Sequence, residues 1–185
     1  MKKINLLTTA LATLIISTAG NAATAEFKTA VLDSNKIMSD SKAAKSLKDQ
    51  MDALRDEYEK DVSKKEESLR AEQEQIKEQQ SKLKEADLEK KTKAFETKVA
   101  EFQKSMMSKQ NQISNGAQEA SNVLSETVEK ISEEIAKEKG YSYVQPQATF
   151  IYFDPAHDIT KDVIAALDKK LPEIKIVLKK EEAKK

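Results

Sequence analysis

The sequence predicts a mainly helical α+β chain, in which one long antiparallel coiled-coil hairpin projects from a small β body. Three observations predict it. Residues 41–139 contain no proline and one glycine, Gly116, and consist largely of Lys, Glu, Gln, Ala and Ser, which carry small helix penalties. Apolar residues recur there in alternating steps of three and four, the mark of a coiled-coil seam. Six of the nine aromatic residues lie outside this stretch, in three short segments rich in β-favouring residues.

The outgoing leg carries Leu47, Met51, Leu54 and Tyr58, then Val62, Leu69, Ile76 and Leu83. The chain reverses near Lys84-Glu85-Ala86-Asp87, and the returning leg carries Leu88, Phe95, Val99, Phe102, Met106, Ile113, Ala117, Ala120, Leu124, Ile131 and Ile135. Two legs joined by a short turn make a helical hairpin, each leg roughly 65–75 Å long at 1.5 Å per residue. Between Val62 and Leu83 the other seam places are assigned to Glu66, Gln73 and Gln80, so the tip is expected to be the softest part of the arm.

Ahead of the hairpin, Met1-Lys2-Lys3 and an apolar run from Leu6 to Ile16 lead to Ala23-Thr24-Ala25, with Gly20-Asn21-Ala22 as a second cleavage option. This pattern reads as a signal peptide over 1–25. About eleven apolar residues are too few for a bilayer, which needs roughly 20. The chain is therefore expected to be exported and soluble, with the periplasm as its compartment. It has no cysteine, so its stability must come from packing or assembly.

Residues 26–40 and 140–178 are assigned to the body, and 179–185 to a charged tail. Phe27, Thr29 and Val31 alternate along a first strand, and Asp33-Ser34 can cap a short helical turn. Ser39 or Ser41 caps the outgoing leg. Gly140 stops the returning leg. Tyr141–Gln145 and Ala148–Phe153 read as two more strands, and Asp158 or Thr160 caps a last helix carrying Val163, Ile164 and Leu167. Ile174, Ile176, Val177 and Leu178 have no assigned place. The aromatic residues are expected to mark the core of the body. A sheet this small is marginal alone, so Phe27, Val31, Tyr143, Phe150 and Tyr152 are expected to build an oligomeric body.

The composition excludes several functions. Formal charge is zero, and removal of residues 1–25 leaves 30 basic against 32 acidic side chains, so no basic excess points to nucleic acid. His157 is the single histidine, and the three glycines form no phosphate loop. Asp154, His157 and Asp158 can be drawn as a metal cluster, but Asp158 is better explained as a helix cap. No catalytic residue, metal or other cofactor is expected. The low-charge stretch Ser105–Ser125 has two readings: close packing of small residues near the arm's base, or an adaptable contact surface. Met106, Met107 and Ile113 are its candidate contact residues.

The order of these parts resembles the Skp (OmpH-like) periplasmic chaperones. The resemblance rests on Ala30-Val31-Leu32-Asp33, on Gly140-Tyr141-Ser142-Tyr143-Val144, and on Asp158-Ile159-Thr160 followed by Val163-Ile164. It implies a homotrimer with a small β-barrel body and three arms around a cavity. It further implies that the cavity holds unfolded outer-membrane proteins without ATP and passes them to the membrane assembly machinery. The family's best-known members look strongly basic and this chain does not, so no lipopolysaccharide or acidic-lipid site is carried over. The alternative is an exported coiled-coil spacer that binds no client; its weakness is the aromatic-rich strand body, which a stalk does not require.

Overall fold

A computed structural model describes residues 27–179, so the signal-peptide assignment and most of the charged tail lie outside the described residues. The order is β1 (Thr29–Leu32), α1 (Ser34–Asp40), α2 (Lys42–Gln79), α3 (Glu85–Glu138), β2 (Tyr143–Pro146) and α4 (Thr160–Lys170). β1 and β2 pair in parallel, Thr29 opposite Tyr143 through Leu32 opposite Pro146. Parallel strands need a long crossover, and here the entire helical hairpin supplies it.

Local chemistry sets the helix ends. Asp33 caps α1, its carboxylate accepting from Lys36 N at 3.0 Å. Ser41, fully buried, caps α2 by accepting from Ala44 N. The next free amide, Lys42 N, donates to Asp168 of α4 at 2.8 Å. α3 ends in a left-handed Gly140 (φ 73°), with Tyr141 N bonding Ala136 O and Gly140 N bonding Lys137 O. That is a Schellman stop, which favours glycine because a side chain is strained there. α4 begins at Thr160, whose amide is satisfied by Asp158 Oδ1 at 2.8 Å.

The legs are unequal: 38 residues in α2 and 54 in α3 correspond to about 57 and 81 Å. The longer leg runs past α2 into the body. The seam also differs from the sequence reading. Leu69 is buried and Val62, Glu72, Ile76, Gln79 and Leu83 are half-buried, whereas Glu66, Gln73 and Gln80 face water. The polar seam places are therefore Glu72 and Gln79. Both are bridged to the other leg, Glu72 by Lys98 at 2.6 Å and Gln79 by Lys91 at 2.5 Å.

The core is aliphatic and lies where the arm meets the body. Ala30, Ile37, Ala43, Leu47, Leu124, Ile131, Ile159, Val163, Leu167 and Ile174 form one buried cluster. This corrects the expectation that the aromatic residues mark it. Phe27 is 70% exposed, Tyr143 55% and Tyr152 81%, and Phe150 is half-buried against Phe153. Val31 alone of the five body candidates is buried, at 2% exposure. The third expected strand, Ala148–Phe153, is also absent: Gln147–Thr149 is a 3₁₀ turn and residues 150–153 pair with nothing in the sheet. Strand propensity is realised only against a partner, and among the described residues no strand is placed to offer one.

Residues 171–179, which include the unplaced Ile174, Ile176, Val177 and Leu178, form a strap without regular secondary structure at the base of the hairpin. Ile174 is 5% exposed and belongs to the core cluster.

Candidate functional site: the arm clefts and the open edge of the body

Most apolar seam residues of the arm are only half covered. Met51, Leu54, Tyr58, Val62, Phe95, Val99, Phe102, Met106 and Ile113 are all of intermediate exposure. A two-helix seam has one contact line, so the flanks of its large side chains stay wet. Two clefts result. The one nearer the base, about 650 Å³, is lined by Leu47, Met51, Tyr58, Ile113 and Ala117. The other, about 580 Å³, is lined by Phe102 and Met106 among Lys64, Lys65, Lys98, Asp61 and Glu101. Met106 and Ile113 thus belong to different clefts, and Met107 points into water at 66% exposure. The structure does not bring these three candidates into one site.

Between the clefts the legs are pinned by charge. Lys109 Nζ contacts Asp61 Oδ2 at 2.5 Å and Glu57 Oε1 at 3.0 Å. These hydrogen bonds, that to Asp61 first, raise its pKa above the ordinary lysine value. Toward the base, the small residues Gly116 and Ala120 of the low-charge stretch are buried.

On the body, β1 is flanked on both sides. β2 covers one, and a bridge from Val31 to Asp158, with Ile159 N donating to Val31 O at 3.0 Å, covers the other. β2 is covered on one side only among the described residues. Beside it sit exposed Tyr143 and Phe27, with ring centroids 6.1 Å apart, and a cleft of about 750 Å³ lined by Ile37, Met38, Leu124, Val128, Tyr141 and Val144. Exposed Ile151 and Tyr152 follow in the next loop. The body candidates Phe27, Tyr143, Phe150 and Tyr152 therefore mark an uncovered margin rather than a core.

The drawn metal cluster is otherwise engaged. Asp154 Oδ1 accepts from Ala156 N, Asp158 Oδ1 accepts from Thr160 N, and His157 Nδ1 lies 3.0 Å from Thr29 O. His157 also meets Tyr141 edge-on, with centroids 5.7 Å apart. Sequence reasoning missed Gln50 and Ser46, which hold the strap, and the partner of Gly116. A glycine inside a long helix was the available signal, since it costs about 1 kcal/mol against alanine unless something must approach closely.

An arm of two unequal helices, inserted between parallel strands of a small body and rooted in an aliphatic core, defines an architectural class of projecting-hairpin proteins. Residues 28–167 match the family model "Outer membrane protein (OmpH-like)", and the chain belongs to that family. Its structure is similar to the crystal structure of a candidate outer membrane chaperone (OmpH-like) from Caulobacter crescentus CB15. The TM-score is 0.78 at 14% identity, over 85% of this chain and 94% of that one. At that identity the likeness is one of fold. Among curated proteins none matches the sequence. Among the described residues, no helix is long and apolar enough to cross a membrane.

Proposed function

We propose that this chain is an ATP-independent periplasmic holdase for unfolded outer-membrane β-barrel proteins. The observation that carries this reading is the half-covered apolar seam along the arm. Each cleft offers modest apolar area, so capture is weak per contact and summed over a long surface. Exposed apolar surface of this kind on a projecting arm suits adaptable contact with chains that have no fixed shape. Met106, Ile113 and the exposed Met107 contribute side chains to it, and the nearby lysines add charge.

Three copies joined through the open edge of β2 and the margin of Phe27, Tyr143, Phe150 and Tyr152 complete the body as a homotrimer. The arms then surround a shared cavity, from which the client passes to the outer-membrane assembly machinery. OmpH-like membership and the signal-peptide pattern support the compartment and the client class. The purified mature protein, without nucleotide, is added to an unfolded outer-membrane β-barrel protein diluted from urea, and light scattering is followed. Suppression of aggregation at near-stoichiometric trimer is expected. A spacer protein would leave aggregation unchanged and overturn the reading.

A further inference from the structure

The family match ends at residue 167, and the strap follows it. Its seating has the geometry of peptide recognition. The side-chain amide of Gln50 donates to Ile174 O at 2.5 Å and accepts from Ile176 N at 3.1 Å. One amide thus bonds the C=O of one residue and the N–H two residues on, as a residue in a neighbouring parallel strand does. Ser46 Oγ adds a third bond to Ile174 O at 3.3 Å. All three bonds go to main chain and would form with any non-proline sequence.

Side chains enter by alternation. Ile174 is buried and Ile176 half-buried, whereas Lys175 and Val177 point outward. The other wall is α3, and it is cut to fit. A Cβ on Gly116 would lie 2.7 Å from Val177 O and 3.0 Å from Ile176 Cγ2. Lys179 closes the end with an ion pair to Glu119 at 2.6 Å. The groove is therefore a main-chain clamp on α2, an apolar slot spaced for residues two apart, and a glycine floor on α3.

We propose that this groove is a binding site for an extended polypeptide segment with apolar residues two apart, and that residues 174–177 are its resident, displaceable occupant. A membrane-spanning β-strand carries that alternation, so a segment of an unfolded β-barrel protein is the competing ligand. Its origin rests on the holdase reading; the site itself does not. The tether holds the strap at an effective concentration on the order of mM, so the strap sets a threshold that a free segment must exceed.

The test uses the full chain and a fluorescein-labelled peptide of residues 171–179, read by anisotropy. Wild type is expected to bind it weakly. The strap-released double variant Ile174→Ser/Ile176→Ser should bind at least ten-fold more tightly, and adding Gln50→Ala should remove that gain. A peptide with Lys175 and Ile176 transposed, which breaks the alternation, should bind at least several-fold less. No gain on strap release, or a gain that survives Gln50→Ala, overturns the site.

A second measurement needs no strap variant. In wild type, exchange of the Ile176 amide should be slow. It should accelerate at least ten-fold in Gln50→Ala, and also in wild type given excess peptide. Gly116→Ala removes no strap side chain and raises helix propensity, yet it should accelerate the same amide. A strap that is a fixed part of the body gives no response to peptide, and that result overturns displacement. Aggregation of an unfolded β-barrel protein is measured in parallel. Wild type that fails to suppress it overturns the holdase reading and leaves peptide binding standing. Suppression without peptide binding overturns this site alone.

Discussion

Lys109 on the returning helix reaches across the hairpin to Asp61 on the outgoing one, 2.5 Å away, with Glu57 one turn earlier as its second partner. Replacing it with methionine keeps the aliphatic stem and removes the pin. The pairs are partly exposed, so the expected loss is about 1 kcal/mol or less. Amide exchange should speed up around Glu57–Asp61 more than in the body. The pH dependence has a definite sign. Pairing raises the folded-state pKa of Lys109, so its contribution is whole below the unfolded lysine value of 10.5 and is lost as pH rises through the folded value. Wild type and variant should therefore converge in stability only above that range. A difference that already vanishes near pH 8 would rule out the ion pair as its source.

Thr160 ties the two ends of the body together. Its fully buried hydroxyl accepts from Asp33 N at 2.9 Å, where the chain leaves β1 for α1. Thr160→Val preserves shape and leaves that amide without a partner, a cost of about 1–3 kcal/mol. Thermal unfolding should show a lower midpoint for Thr160→Val. Thr160→Ser retains the bond and should lose less. Equal loss in both variants would assign the effect to the methyl group instead.

Tyr152 and Val31 should fail in different ways when changed to aspartate. Tyr152 is 81% exposed in the single chain, so Tyr152→Asp should leave helicity intact and act only on assembly. Val31 is 2% exposed, and an unpartnered charge there should cost several kcal/mol and unfold the body. Sedimentation separates the outcomes. A Tyr152→Asp protein with wild-type mass would remove this margin from the oligomer interface. Phe150→Asp, half-buried against Phe153, should show both effects.

Some of this was legible in the residues and some was not, for physical reasons. The hairpin was, because apolar steps of three and four sustained over many heptads bury a stripe only when two helices pack along it. Caps at Asp33 and Ser41 and the stop at Gly140 follow from one-residue chemistry. The phase of the outer seam was not: Glu72 and Gln73, and Gln79 and Gln80, are all polar, and only the facing helix decides which of each pair turns inward. Residues 148–153 have strand composition but no strand partner among the described residues. The strap was illegible because its bonds run from Gln50 and Ser46 to main chain, which leaves no side-chain pattern to read. Gly116 was visible as an anomaly, and its cause, the main chain at Val177, lies far along the sequence.

The corrected seam changes how arm softness should be tested. Leucines at Glu66, Gln73 and Gln80 would sit on the wet flank and tighten nothing. The positions that matter are Glu72 and Gln79, both half-buried between Leu69, Ile76 and Leu83. Glu72→Leu/Gln79→Leu removes the contacts to Lys98 and Lys91, which are surface pairs of small net worth. It adds partial burial of two leucines, about 1 kcal/mol each. The seam from Val62 to Leu83 then reads apolar at Leu69, Ile76, Leu83 and both substituted positions, and the tip should open less often. Exchange of amides in residues 69–95 should slow several-fold while oligomeric mass stays constant. If clients are held by arms that part to admit them, the stiffened protein should protect large unfolded β-barrel proteins less well than small ones. Equal protection of both, with the slower exchange confirmed, would show that opening of the tip is no part of capture.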